Sequence, residues 1–139
     1  MANLVETAIN AGKFETLIKA LQAAELTDIL TTSDTYTVFA PTDEAFAKLP
    51  EGTIESLLQD IPKLKQILTY HVAFGDVRSD DLAQIDEVPT FEGSVLAVES
   101  QSGRVKLNDA NVVQKDILAD NGVIHAINSV LMPAIIAGH

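Results

Sequence analysis

The chain has no cysteine. That absence excludes a thiolate nucleophile, thiolate zinc centres, iron–sulfur ligation and any disulfide framework, and it leaves the redox compartment open. Tryptophan is also missing and only two tyrosines occur, so there is little aromatic surface to stack on sugar rings. Cations are scarce: 9 Lys and Arg stand against 20 Asp and Glu, for a formal net charge of -11 and a pI near 4.4. Nucleic acid and anionic membrane are therefore not expected as partners, because phosphate binding needs clustered cations that release counterions. The acidic excess works instead through solubility and self-repulsion. The seven glycines are scattered singly, so no phosphate cradle forms, and Glu92-Gly93-Ser94-Val95-Leu96 lacks the second glycine of a nucleophile elbow. The longest apolar stretch, Val130 to Ala137, is about eight residues with a proline inside, too short to cross a bilayer. Met1 to Glu6 carries neither a basic region nor a leader-length apolar run, so no secretory leader is expected within the chain.

What remains is ample for a core. A chain of 139 residues with 47% apolar content fits one globular domain spanning 1–139, and a chain of this size hides roughly 68–70% of its unfolded surface. Leu4, Val5, Ala8 and Ile9, then Phe14, Leu17, Ile18 and Leu21, recur at helical spacing. Asn3 is placed to cap the first of these helices, and Gly12 to stop it. Thr35 to Ala40 changes to β-favouring residues and predicts a short strand ending at Pro41, after which Thr42 reads as an N-cap with Asp43 and Glu44 in an acidic first turn. Two further short helices are predicted, one capped by Thr53 and one opened by Pro62. From Asp76 to Glu92 six acids face only Arg78, which reads as a solvated connection. Beyond Val88, β-like runs at Ser94–Val98, Arg104–Leu107, Asn111–Val113 and Val123–Asn128 alternate with turn signals such as Asn121-Gly122. Helices first and hairpin-paired strands afterwards predict an α+β fold.

The histidine inventory for metal or acid–base work is small. The histidines are His71, His125 and His139, with no His-x-x-x-His or His-Glu-x-x-His pair, so no metal site is expected. The acids around Asp76, Asp80, Asp81, Asp116 and Asp120 lack the alternating spacing of a calcium loop. Alternation along Val123-Ile124-His125-Ala126-Ile127 puts Val123, His125 and Ile127 on one face, so His125 is expected as a hydrogen-bonded core residue. The same holds for His71 beside Tyr70.

Three segments together resemble the fasciclin-like domain family. They are Thr37-Val38-Phe39-Ala40-Pro41-Thr42-Asp43-Glu44-Ala45-Phe46, then Tyr70-His71-Val72 with Gly75, and Asn108 through Pro133, which includes Asn121-Gly122-Val123-Ile124-His125-Ala126-Ile127. The resemblance implies a wedge of mostly antiparallel strands with several short helices, the helices mainly in the N-terminal half. It also implies a non-enzymatic adhesion or protein-interaction module without cofactor, secreted or at the cell surface. The partner would be a cell-surface or matrix protein, with no nucleic acid, no membrane insertion and a monomeric chain. Two segments resemble stretches tied to receptor binding in animal members: Tyr70-His71, and Lys115-Asp116-Ile117 within Gln114 to Leu118. Under the same resemblance Thr42 and Asp43 are expected to hydrogen-bond with His125, because a capping hydroxyl and a buried imidazole both need partners. One departure is Asn128, where the family commonly has an aspartate; a neutral amide keeps a hydrogen bond but not a charge. The alternative function is a module for a small apolar ligand or a polysaccharide, and with no leader in the chain a cytoplasmic location stays open.

Overall fold

The computed structural model describes residues 3–30, 35–49, 52–91, 93–101, 104–108 and 110–131. The expected stretch from Val130 to Ala137 and His139 therefore lie largely outside the described residues. Three helices open the chain: α1 (Leu4–Ala11), α2 (Glu15–Ala23) and α3 (Thr27–Leu30). The Asn3 side chain accepts from Glu6 N while Glu6 reaches back to Asn3 N, a closed capping box. Gly12, at φ 75°, ends α1. Strand β1 (Tyr36–Pro41) follows, then α4 (Asp43–Ala47), α5 (Thr53–Leu58), α6 (Ile61–Thr69), β2 (Val72–Phe74), α7 (Ser79–Leu82) and β3 (Glu87–Pro89). The chain continues through β4 (Val95–Gln101), β5 (Arg104–Leu107), β6 (Ala110–Ala119) and β7 (Gly122–Ile127).

The seven strands form one sheet in the order β2-β1-β7-β6-β5-β4-β3, antiparallel throughout except for the β1–β7 pair. A bridge between Ala73 and Thr90, and a bond from Phe91 N to Val72 O, bring its two edges together. The fold is the α+β wedge expected from the chain. Every residue of β1 and β7 is buried, the signature of strands covered on both faces. Val38, Ala40, Ile124 and Ala126 face one core with Leu4, Phe14, Leu17 and Ile67 of the helices. Phe39 and Ile127 face a second core with Leu82, Leu96 and Leu107. Closeness of the two central strands depends on Gly122: a Cβ there would lie 1.8 Å from the Tyr36 carbonyl oxygen.

Three local expectations are corrected. Thr53 is the first helical residue of α5, and Gly52 holds the N-cap position; Asp60 caps α6, with Pro62 in its first turn. The acidic stretch 76–92 is not a bare connection, because it folds α7 and β3 and buries Leu82 and Val88 completely or nearly so. Two apolar residues suffice to anchor it, and the count of acids around them hides that pattern. Finally β6 runs ten residues, well past Val113, because register shifts between Val112 and Gln114 and between Gln114 and Ile117 break the alternation a reader looks for.

Candidate functional site

One hydrogen-bonded system joins three neighbouring strands to the segment that leaves β2. Thr37 on β1 donates its hydroxyl to Gly75 O at 2.8 Å and accepts from Val77 N at 2.8 Å. His125 on β7 lies 2.7 Å from Val77 O through Nε2; a carbonyl only accepts, so the ring proton sits on Nε2. That leaves Nδ1 as an acceptor for Asp116 N at 3.2 Å. The Asp116 carboxylate, on β6, in turn accepts from Ser79 N at 2.9 Å and from Ser79 Oγ at 2.5 Å. Residues 75–79 thus form a strap bonded in sequence to β1, β7 and β6. The Phe39 ring stacks on His125 beneath it, centroids 5.8 Å apart.

The charges follow from this packing. Burial pushes the His125 imidazole below its ordinary range, although the Val77 carbonyl and the Asp116 and Asp76 carboxylates oppose that, and Lys115 adds to it. Burial works against ionisation of Asp116, but the two bonds from Ser79, with His125 and Lys115 nearby, hold its carboxyl below the usual carboxylate value.

Tyr70 and His71 occupy a different place. They are 5% and 1% exposed, so neither is presented to a partner, and the expectation of a contact there is corrected. The element ends α6 and turns into β2, which points both side chains inward. His71 Nδ1–H donates to Ile67 O at 2.7 Å, and Nε2 accepts from Leu131 N at 2.8 Å. Burial lowers its pKa to about 4, with the Ile67 carbonyl acting in the other direction. The Tyr70 hydroxyl donates to Val95 O and accepts from Asn108 Nδ2.

The expected bonds from Thr42 and Asp43 to His125 do not form. Both residues are structural, with other partners: Thr42 Oγ1 accepts from Ala45 N, and Asp43 Oδ1 from Thr16 N. The register explains the separation, since Phe39 lies opposite His125 while Thr42 N reaches Ile127 O two residues further on. Asn128 keeps the role an acceptor can play there, taking Asn111 N on Oδ1 at 2.9 Å.

Lys115 and Asp116 are exposed and Ile117 is half-buried against the helix core. Asp116 has φ 58°, a left-handed conformation in the bulged part of β6. Val113 and Leu118, 57% and 55% exposed, flank them. Beyond Asn111 this strand pairs with β7 alone among the described residues. Thr37, Val77 and Ser79 escaped the sequence reading because their roles depend on a strap whose path no local pattern announces. Among the described residues no group of three or more His, Asp or Glu is arranged to hold a metal ion, and no helix is long and apolar enough to cross a membrane.

A family model described as the Fasciclin domain matches residues 12–133. An uncharacterised protein of Synechocystis is 47% identical over 132 residues, covering 95% of this chain and 98% of its own length. The transforming growth factor-beta-induced protein ig-h3 of Sus scrofa is 38% identical over 133 residues, which make up 96% of this chain and 20% of that protein. The immunogenic protein MPB70 of Mycobacterium bovis is 37% identical over 131 residues, 91% of this chain and 66% of that protein. Among solved structures, a domain pair from the insect cell adhesion molecule Fasciclin I aligns with TM-score 0.85 at 22% identity, over 96% of this chain and 52% of that one.

Proposed function

Because the chain belongs to the fasciclin-domain family, we propose that it is a non-enzymatic interaction module of the adhesion type. It acts at a cell surface or outside the cell, on a protein or matrix partner. The observation that carries this reading is the outer part of β6, where Val113, Lys115, Asp116 and Leu118 stand exposed on a strand that, beyond Asn111, pairs with β7 alone among the described residues. Val113 and Leu118 supply exposed apolar surface to such a contact, and Lys115 and Asp116 supply polar groups. The relation in fold to an insect cell adhesion molecule supports the same class. Both described histidines spend both ring nitrogens on main-chain groups, which speaks for structural and against acid–base duty.

A second reading, binding of a small apolar ligand, draws on a cleft lined by Leu21, Leu26, Leu30, Thr69, Val72 and Phe91. Its cavity volume of about 10 Å³ is far below that of most ligand sites, so it ranks behind protein contact, and a polysaccharide fits it less well still. The test immobilises the protein and measures binding from envelope and matrix fractions against the Val113→Ser, Lys115→Ala and Leu118→Ser triple variant. Binding reduced by about tenfold or more, at unchanged melting temperature, is expected. Equal binding by the variant removes β6 as the contact, and a cytosolic protein that retains no partner removes the adhesion reading.

A further inference from the structure

We propose that His125 is a proton-operated latch: protonation at Nδ1 frees Asp116 from the imidazole and shifts its carboxylate from Ser79 to the ring, loosening the strap and the bulge together. The latch rests on geometry alone; only its consequence for binding rests on the reading of β6 as the contact surface.

With Nε2–H committed to Val77 O, the neutral ring has one lone pair, and Asp116 N–H uses it at 3.2 Å. A proton on Nδ1 sets two donors face to face, so that bond cannot survive. Asp116 holds a left-handed conformation, φ 58°, that aspartate adopts more readily than most residues with a side chain, and this bond helps to fix it there. It also has somewhere to go. Its carboxylate acts electrostatically on the ring and is now held by Ser79 N and Oγ; an imidazolium N–H offers a charge-assisted bond in their place. The register shifts on either side supply the slack a local rearrangement needs.

The charges around the ring favour such a switch. On β6, Asp116 attracts the cation and Lys115 opposes it; on the strap, Asp76 attracts it while Arg78 is paired with Asp76 at 3.0 Å. The face from β1 brings Phe39 and Thr37, neither charged. His71 is the internal contrast: it too accepts a main-chain N–H, from Leu131, yet no carboxylate is among the causes that shift its titration. Burial resists a proton at both rings, and only at His125 do carboxylates offset part of that resistance.

Amide exchange and ring titration by NMR on the full chain test the latch between about pH 7.5 and about pH 4.5. Expected is a rise of about tenfold in Ser79 and Asp116 exchange, corrected for intrinsic chemistry, that shares its midpoint with His125, while Ile124 and Val38 stay protected. The His125→Asn variant keeps an acceptor near Nδ1 without a titrating ring and is expected to abolish the rise. A second readout, the Asp116 carboxyl carbon shift in the unaltered protein, should move at the same midpoint. Exchange that ignores His125 titration, an equal rise in the Asn variant, or a ring that stays neutral until Ile124 and Val38 also exchange each overturns the latch. An intact latch with pH-independent binding overturns the β6 contact alone.

Discussion

His71 holds its single proton on Nδ1 for Ile67 and its lone pair for Leu131, so a second proton has no acceptor inside the fold. Its pKa falls from 6.5 to about 4, whereas in the unfolded chain it titrates normally. The unfolded state therefore binds more protons below pH 6.5, and stability contributed by the neutral ring is full above that value and lost as pH falls toward 4. The loss expected from this residue is about 3 kcal/mol. Denaturant midpoints measured in steps across that interval should show it, and a His71→Gln variant should show a flatter profile; an unchanged profile rejects the assignment. That His71 is internal was legible from Tyr70-His71-Val72 as an apolar helix exit. Its partner sixty residues on was not, because Leu131 N carries no side-chain signature. Likewise Thr42 was legible as a cap, yet the bond expected from it to His125 does not form, since the offset between two parallel strands is invisible along either one.

Hairpin β6–β7 was announced by Asn121-Gly122, a pair suited to the positive φ of a tight turn. Less visible was that this glycine also sets the distance between β7 and β1. Asn121 adds to the joint, its side chain accepting from Leu4 N and donating to Leu30 O. With backbone 1.8 Å from the added Cβ, Gly122→Ala has no flexible neighbour to yield. Its expected cost is about 3 kcal/mol or more, read as a lowered urea midpoint; a cost under about 1 kcal/mol would show that β1 and β7 separate easily. The parallel pairing itself was masked by the hairpin logic of the strands around it, and the burial of α7 and β3 by the acids that surround Leu82 and Val88.

The whole molecule carries a formal net charge of -11, and the Arg78–Asp76 ion pair, 3.0 Å apart, is well exposed. An exposed pair of this sort contributes little, while mutual repulsion of the acids opposes compaction. Melting temperature is therefore expected to rise as salt goes from about 10 mM to about 150 mM, where the screening length drops from about 30 Å to about 8 Å. A fall would mean that attractive pairs dominate. Fold and family were readable because they are written in buried residues such as Phe39, Val123 and Ile127, whose identities packing constrains. The partner was not, because exposed positions such as Lys115 and Leu118 answer to a molecule outside the chain.

The parallel pairing of β1 with β7 also has a kinetic side. Tyr36 waits for Gly122, more than eighty residues later, before its inner edge is covered. During synthesis or after translocation, an apolar strand and both halves of the core therefore stay open until the last strand arrives. Such long sequence separation slows folding and exposes the chain to chaperones and to aggregation in the interval. A domain wired in this way closes its central sheet late.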